Sequence, residues 1–421
     1  MERRVEQAIG AVWRIESAKI VAGVARLVRD IGLAEELAGD ALVAALEHWP
    51  ASGIPDNPGA WLMRTAKNAA FDHLRREKSY REKCGQFKHD LEALEAHIVP
   101  DFVDDLDAAR NDVLGDDLLR LMFTSCHPIL STEARVALTL KLLGGLGTAE
   151  IARAFLVPEP TIAQRIVRAK RTLGQARVPF ELPAPDQLAE RLASVLEVVY
   201  LIFNEGYTAT SGEDWMRPAL QDEALRLGRM LAELAPREPE AQGLAALMEL
   251  QASRAAARVD RNGRPVLLLE QDRARWDGVL IRRGLAALAS AELLGDPGPY
   301  VLQAAIAACH ARARTAGETD WAHIAALYGE LARIAPSPVV ELNRAVAVGM
   351  AEGPAAGLAL VDALAVGGAL ERYQWLPSVR GDLLEKLGRR AEASGEFARA
   401  ARMASNARER ELLEQRSRAN A

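Results

Sequence analysis

The sequence predicts an all-α protein. Aromatic residues make up only 5% of the chain, whereas alanine and leucine, which favour helices over sheets, are abundant. Apolar residues recur at spacings of three and four along almost the whole chain, which is the period of an amphipathic helix. The one expected exception is the stretch 258–268, where Asn262-Gly263 between short β-prone runs predicts a β-hairpin.

Length and composition indicate a globular protein of two or three domains. The chain has 421 residues, of which 49% are apolar and 26% charged. No apolar run approaches the ~20 residues that span a bilayer, and the amino terminus carries charges without an apolar signal core. Cys84, Cys126 and Cys309 show no CxxC spacing. We therefore expect a reduced, cytoplasmic protein without disulfides or membrane contact.

Three amphipathic helices are predicted at the amino terminus, over about 5–29, 33–49 and 59–78. The stretch 50–58 is a loop by composition, and Asn57 followed by Pro58 makes a favourable cap and first-turn pair for the third helix. Residues 64–83 hold seven basic and three acidic residues. On charge alone, a solvated basic face is the favoured interpretation.

An acidic stretch separates this region from the next group of helices. Residues 90–117 hold ten acidic residues and one arginine, which is typical of a solvated spacer, with helix expected from about Leu106. Ser131 is expected to cap a later helix that ends at Gly144-Gly145. Cys126 and His127 are adjacent and lack two further ligands at a suitable spacing, so we expect no metal site.

Residues 147–173 contain two short helical patterns separated by a tight break. Thr148 can cap the first helix, and Pro160 is tolerated only in the first turn of the second. Residues 160–177 hold five basic and no acidic residues, although the whole chain has a net charge of −6. This pattern is typical of a helix-turn-helix and its recognition helix, and structural helical bundles also contain it. The apolar seam of the second helix is Ile162, Ile166, Ala169 and Leu173, and its other faces offer Thr161, Gln164, Arg165, Arg168, Lys170 and Arg171.

The carboxy-terminal half follows a linker at 179–185 and is predicted to be helical. The pattern Ala356-x3-Leu360-x2-Ala363 recurs 37 residues later as Ala393-x3-Phe397-x2-Ala400. It is similar to tetratricopeptide helix pairs, which form protein-binding surfaces, although chance matches in alanine-rich helices explain it equally well.

No enzymatic site is predicted. Glu205, Glu270, Asp272 and Asp277 have no defined mutual distance, and buried pairing with Arg273, Arg275 or Arg282 is the favoured role for them. The sequence has no phosphate loop, nucleophile elbow or dinucleotide fingerprint. We therefore expect neither catalysis nor a cofactor.

Several of these segments resemble extracytoplasmic-function (ECF) sigma factors. The run DIGLAEELAGDALVAALEHW resembles the family's polymerase-binding helix, and AWLMRTAKNAAFDHLRR resembles its minus-ten-reading segment. EIARAFLVPEPTIAQRIVRAKRTL resembles the helix-turn-helix of its carboxy-terminal domain, with Gln164 in place of the usual Ser and Pro160 in place of a frequent Gly. YLIFNEGY and LLEQDRARWD resemble stretches of ECF sigma factors that carry a tetratricopeptide-like extension.

The resemblance implies a domain order and two partners. It implies sigma region 2 over 1–83, an acidic linker over 84–114, sigma region 4 over 115–178 and a regulatory helical domain over 186–421. Core RNA polymerase would contact Glu35, Glu36, Leu37 and Asp40. Promoter DNA would contact Asn68, Arg75, Arg76, Thr161, Gln164, Arg165, Arg168, Lys170 and Arg171. Within that set Asn68 would bind a flipped base, Gln164, Arg165 and Arg168 would read the major groove, and Lys170 and Arg171 would contact phosphates.

Two other interpretations remain open at this point. One is a one-component helix-turn-helix regulator with a ligand- or protein-sensing repeat domain, which leaves residues 1–80 without a role. The other is a scaffold built on the repeats, whose basic faces are incidental.

Overall fold

The computed structural model describes residues 2–83, 107–209, 212–261, 263–368, 370–371 and 373–421. Most of the expected acidic linker, 84–106, therefore lies outside the described residues. The chain divides into two units, 1–198 and 199–421. The described residues form helices and no β-strand, so the predicted all-α class is confirmed. No described helix combines enough length and apolar character to cross a bilayer.

The first unit contains seven complete helices and the beginning of an eighth that runs into the second unit. The helices of the first unit are α1 (Glu2–Val28), α2 (Ile31–Ser52), α3 (Pro58–Lys83), α4 (Asp107–Ser125), α5 (Thr132–Leu142), α6 (Thr148–Phe155) and α7 (Glu159–Gln175), followed by α8 (Pro185–Tyr207). Those of the second unit are α9 (Pro218–Leu234), α10 (Pro239–Ala252), α11 (Gly278–Leu294), α12 (Pro299–Arg312), α13 (Trp321–Ile334), α14 (Pro338–Ala351), α15 (Pro354–Val366), α16 (Trp375–Lys386), α17 (Arg390–Met403) and α18 (Ala407–Ala419).

Local side-chain caps mark the beginning of several of these helices. The side chain of Asn57 accepts a hydrogen bond from the backbone N–H of Ala60 at 3.0 Å, and that of Ser131 accepts one from Ala134 at 3.4 Å, as predicted. The predicted cap at Thr148 is wrong. Gly147 occupies the cap position, and the carboxylate of Glu150 accepts its N–H at 2.7 Å, so Thr148 is already helical.

Helix α2 continues three residues beyond its predicted end. It passes through Pro50 to Ser52, whereas the composition predicted a loop from Pro50 onward. Side-chain bonds hold this last turn together: the hydroxyl of Ser52 donates to the carbonyl of His48 at 2.9 Å, and His48 Nδ1 lies 2.8 Å from the carbonyl oxygen of Ala44. These two contacts compensate for the backbone hydrogen bond that is missing at Pro50, which has no N–H to donate.

Helices α1, α2 and α3 pack together as the N-terminal bundle. Ile20, Val24 and Leu62 are completely buried between them. Trp49 at the end of α2 is buried and meets Trp61 of α3 edge to face, with ring centroids 5.4 Å apart. This contact gives Trp61 a packing role at the base of α3.

In the second unit most helices pack mainly against their neighbours in sequence, except that α12 packs mainly against α10. The two copies of the predicted repeat lie on α15 and α17. Ala393, Phe397 and Ala400 of the second copy are completely buried. On α15 the buried positions are Gly357, Leu358 and Val361, so the buried face is shifted relative to the repeat pattern.

The predicted hairpin at 258–268 forms a tight turn only. Val259 and Pro265 make a single antiparallel bridge, and the N–H of Val266 donates to the carbonyl of Arg258 at 2.8 Å. Pairing extends no further because Pro265 has no N–H to donate and because the 3₁₀ turns 255–257 and 268–270 bend the chain on either side.

The first and last segments of the second unit meet at Asn406. This residue is completely buried, caps α18, and donates from its amide to the carbonyls of Ala209 at 3.3 Å and Asp214 at 2.8 Å. It also forms a bridge with Gly212. The unit is thus closed by a contact between residues almost 200 positions apart in the sequence.

Candidate nucleic-acid interface

Helices α6 and α7 form the predicted helix-turn-helix. The turn between them depends on Leu156, which adopts a left-handed conformation with φ 51° and ends α6. The N–H of Val157 then closes the turn onto the carbonyl of Ala152 at 3.1 Å. Pro160 lies in the first turn of α7, as predicted, where no intrahelical N–H is required.

One face of α7 is apolar and buried, and the opposite face is polar and basic. The buried residues are the predicted seam Ile162, Ile166, Ala169 and Leu173. Gln164, Arg168 and Arg171 are exposed, and Thr161 and Arg165 are half-buried. The side chains of Arg165, Arg168 and Arg171 have no ion-pair partner in the part of the chain that the structure describes. This surface presents an amide and three guanidinium groups, which are the groups that bind guanine edges and phosphates.

Helix α3 presents a second cationic surface. Asn68, Arg75 and Arg76 are all exposed. Arg75 lies 3.3 Å from Asp72 on the adjacent turn, and both side chains are well solvated, so that ion pair is weak and exchangeable. The four expected polymerase-contacting residues lie on α2: Glu36 and Asp40 are exposed, Leu37 is buried in the core, and Glu35 is half-buried.

Glu35 connects α2 to the helix-turn-helix. Its carboxylate forms an ion pair with Lys170 of α7 and lies 3.5 Å from Nζ of Lys141 on α5. Burial lowers the pKa of both lysines, partly offset by Glu150 at Lys141 and by Asp30 at Lys170. The structure therefore brings together two residues that the resemblance assigns to different partners.

Two further ion pairs connect α1 of the N-terminal bundle to later helices of the first unit. Arg14 of α1 lies 2.6 Å from Glu150 of α6, and Arg26 of α1 lies 3.3 Å from Asp117 of α4. Asp117 is buried, and burial raises its pKa while Arg26 and Arg120 lower it. None of these contacts is visible in the sequence, because the partners are separated by about ninety residues or more.

Sequence reasoning also missed the residues that fix α8 to the helix-turn-helix domain (α4–α7). Arg191 donates to the carbonyl of Phe123 at 2.6 Å, and the hydroxyl of Ser194 donates to the carbonyl of Cys126 at 2.6 Å. Arg135 of α5 donates to Ser194 at 2.5 Å and forms an ion pair with Glu197 at 3.1 Å. The only sequence signal for this contact is the alternation of polar and apolar residues along α8, which indicates that one side of the helix is buried.

The contact of α8 with the helix-turn-helix domain also shapes the surroundings of the adjacent residues Cys126 and His127. The thiol of Cys126 is buried and lies 3.3 Å from the hydroxyl of Thr139, and burial raises its pKa to about 11. Burial, and then the charge of Arg191, lower the pKa of His127 to about 4. Nδ1 of His127 accepts the backbone N–H of Ile129 at 3.1 Å.

Comparisons with known families match three parts of the chain. Residues 16–80 match the family model of sigma-70 region 2, and residues 120–173 match that of sigma-70 region 4. Residues 191–292 match a family of unknown function, DUF6596. The two sigma matches coincide with the two cationic surfaces, and the third begins at Arg191, where α8 is bound to the helix-turn-helix domain.

Individual proteins extend the comparison. An uncharacterised protein of Rhizobium meliloti is 46% identical over 387 residues, which cover 91% of this chain and 89% of that protein. A probable ECF RNA polymerase sigma factor, SigI, of Mycobacterium tuberculosis is 28% identical over 186 residues, covering 44% of this chain and 60% of that protein. The ECF RNA polymerase sigma-E factor of Haemophilus influenzae is 29% identical over 113 residues, covering 27% of this chain and 58% of that protein. The chain belongs to the same family as the Rhizobium meliloti protein: it carries sigma-70 region 2 and region 4 domains, is similar to ECF sigma factors, and has a helical carboxy-terminal extension.

Proposed function

We propose that this sigma factor binds core RNA polymerase and directs it to promoters, acting in the cytoplasm. Residues 1–83 act as region 2, 84–114 as the acidic linker, 115–178 as region 4 and 186–421 as a regulatory domain. The polymerase supplies the chemistry of RNA synthesis, and this chain supplies binding energy and promoter selection.

The observation that carries the proposal is the division of α7 into two faces. Its apolar seam is buried within the domain, while Gln164, Arg165, Arg168 and Arg171 form no side-chain hydrogen bond or ion pair in the described residues. We assign the first three to base edges and Arg171 to phosphate, with Thr161 as an additional polar contact. Lys170 joins the phosphate contacts once it leaves Glu35.

The surface of α3 is assigned to the minus-ten element. Asn68 is exposed and lies about two helical turns before Arg75 and Arg76, which are also exposed. An amide binds the Watson–Crick edge of an extruded base, and neighbouring cations hold the backbone phosphates. Glu35, Glu36 and Asp40 form the acidic polymerase contact of α2, and Leu37 supports it from the core.

The extension is proposed to modulate sigma activity through intramolecular or protein contacts. The support is the docking of α8, because the helix that leads into the extension hydrogen-bonds through Arg191 and Ser194 to the backbone of α4 and the following turn. A change in the extension that moves α8 will therefore act on the domain that carries α7.

The decisive experiment is transcription in vitro with purified core polymerase. We expect promoter-specific transcripts only when both proteins are present, and weak promoter binding by this chain alone. Tight sequence-specific binding without polymerase, with no stimulated initiation, would instead favour a one-component regulator. For the extension, unchanged transcription after deletion of the residues beyond Pro185, together with unchanged transcription by Arg191→Gln in the full chain, would exclude modulation.

A further inference from the structure

Three arginines of the second unit lie together against two aromatic rings. The guanidinium of Arg254 lies 5.8 Å from the ring of Tyr207 and 5.9 Å from that of Trp276. Arg258 lies 3.5 Å from the Tyr207 ring, and Arg273 lies 4.8 Å from the Trp276 ring. Arg254 thus shares one ring with each of the other two, and we call the three residues the arginine cluster.

None of the three arginines forms an ion pair with a carboxylate among the described residues, although the charge of Glu318 acts on Arg273 from a longer distance. This sets the arginine cluster apart from other partly buried arginines of this unit. Arg217 pairs with Glu205, and Arg229 lies 2.7 Å from Glu249. Arg416 lies 2.8 Å from Asp382 and also pairs with Glu385. The chain therefore neutralises such cations with acids where they serve packing alone.

Three acidic residues of the same region accept hydrogen bonds from backbone N–H groups. Asp272 accepts the N–H of Ala274 at 3.0 Å, and Asp277 accepts that of Val279 at 2.7 Å. Glu318 accepts the N–H of Arg314 at 3.0 Å. The predicted buried pairing of Asp272 or Asp277 with Arg273 is therefore wrong, because these carboxylates satisfy helix and turn termini instead.

Two of the three arginines are held rigidly by the backbone. Arg258 is only 7% exposed and donates to the carbonyl of Tyr207 and, at 2.8 Å, to the hydroxyl of Thr208. Arg273 donates to the carbonyls of His310 at 2.5 Å and Ala313 at 2.8 Å. Burial lowers the pKa of Arg258 to about 10. Positive charge is therefore fixed at this place at an energetic cost.

Polar nitrogen atoms beside these charges also lack hydrogen-bond partners. The indole nitrogen of Trp276 and Nδ1 of His310 are buried and have no hydrogen-bond partner, and both side chains are less than 9% exposed. Nε of Arg273 is likewise buried without a partner. Buried polar atoms normally have hydrogen-bond partners, so several without one beside cations that form no ion pair point to an anionic ligand.

We propose that the arginine cluster binds a small-molecule oxyanion, a carboxylate or a phosphate, with Arg254 as its principal contact. The guanidinium of Arg254 makes no hydrogen bond to any described residue, so its planar fork is available for bidentate binding. Arg258 contributes fixed charge, and Arg273 contributes fixed charge together with its unpartnered Nε–H. This site lies in the extension and does not depend on the proposed role in transcription.

The test uses the full chain and two defined probes, inorganic phosphate and succinate, with chloride at equal ionic strength as the reference. We expect one probe to raise the melting temperature beyond the chloride effect and to give a saturable calorimetric titration. Arg254→Gln should weaken that binding at least tenfold. Arg275→Gln is the matched control, because Arg275 is exposed in the same segment, and it should bind as the natural protein does.

Stabilisation by neither probe beyond chloride would overturn the proposal, as would equal losses in Arg254→Gln and Arg275→Gln. Arg254→Lys serves if the glutamine variant does not fold, because it keeps the charge but removes the planar fork. We expect several-fold weaker binding from it, and undiminished binding would refute the assignment to Arg254. Which probe binds distinguishes a phosphate ligand from a carboxylate ligand.

Discussion

Glu35 of α2 and Lys170 of α7 form an ion pair across the first unit, and Lys141 of α5 shares the same carboxylate. In the proposed function Glu35 contacts polymerase and Lys170 contacts promoter phosphate. Neither side chain serves its partner while the two are bound to each other. In this arrangement, α2 and α7 must therefore separate before Glu35 is available to polymerase and Lys170 to DNA.

Glu35→Gln tests this interpretation in the absence of polymerase. The substitution removes the carboxylate and leaves two half-buried lysines facing each other, which destabilises the paired arrangement by about 1 kcal/mol. We expect DNA binding by the free chain to tighten about fivefold, the equivalent of that free energy. Glu36→Gln, an exposed neighbour without an ion pair in the described residues, should leave the affinity unchanged. Equal affinities for the two variants would argue against the interpretation.

Arg168→Ala should weaken promoter binding by the holoenzyme by ~1–3 kcal/mol, because Arg168 is exposed on the basic face of α7 and is assigned to a base edge. The loss should be concentrated at one base position, and binding to promoters altered at that position should change little. Affinity measured across a set of single-base promoter variants gives the result. An equal loss on every sequence would assign Arg168 to a phosphate instead.

Ser194→Ala should loosen α8 from the helix-turn-helix domain. The hydroxyl of Ser194 donates to the carbonyl of Cys126 and accepts from Arg135, and both groups lose a buried partner. We expect the free energy of unfolding to fall by about 1–3 kcal/mol, as for an unsatisfied buried group. Denaturant unfolding measures it, and Gln187→Ala on the exposed side of the same helix is the control. Similar midpoints for the two variants would contradict the docked geometry.

Acidification should destabilise the second unit through His310. Burial lowers its pKa to about 4, and the charges of Arg254 and Arg273 act in the same direction. The unfolded chain therefore binds the proton first, so stability is retained above pH ~6.5 and is lost as the pH falls towards 4, at about 1.4 kcal/mol per pH unit. His310→Gln should flatten that slope, whereas His323→Gln at an exposed position should not. Parallel pH profiles for all three proteins would be inconsistent with this cause.

Local signals made much of the fold predictable. Asn57 and Ser131 act on atoms three residues away, so their caps follow from the sequence alone, and the spacing of Ile162 and Ile166 defines the buried seam of α7. The end of α2 was harder to predict, because side-chain bonds over its last turn outweigh the general effect of Pro50.

The candidate site was less predictable than the fold. Residue types and helical phase indicate which side chains of α3 and α7 face solvent. They give no information on pairs such as Glu35 and Lys170, which are 135 positions apart and meet only through tertiary packing. The arginine cluster is hidden for a related reason. The neighbouring Asp272 and Asp277 suggest ion pairs in sequence, and only the structure reveals that both are committed to caps.

The amide of Asn406 joins the beginning of the extension to its last helix. An open array of helices frays from its free end, since its terminal helix has only one neighbour. Here the terminal helix is anchored to the start of the same array, so unravelling from the carboxy terminus requires breaking buried bonds at both ends at once. The extension should therefore melt as a single cooperative block, and a partial C-terminal deletion should cost far more stability than the helix it removes.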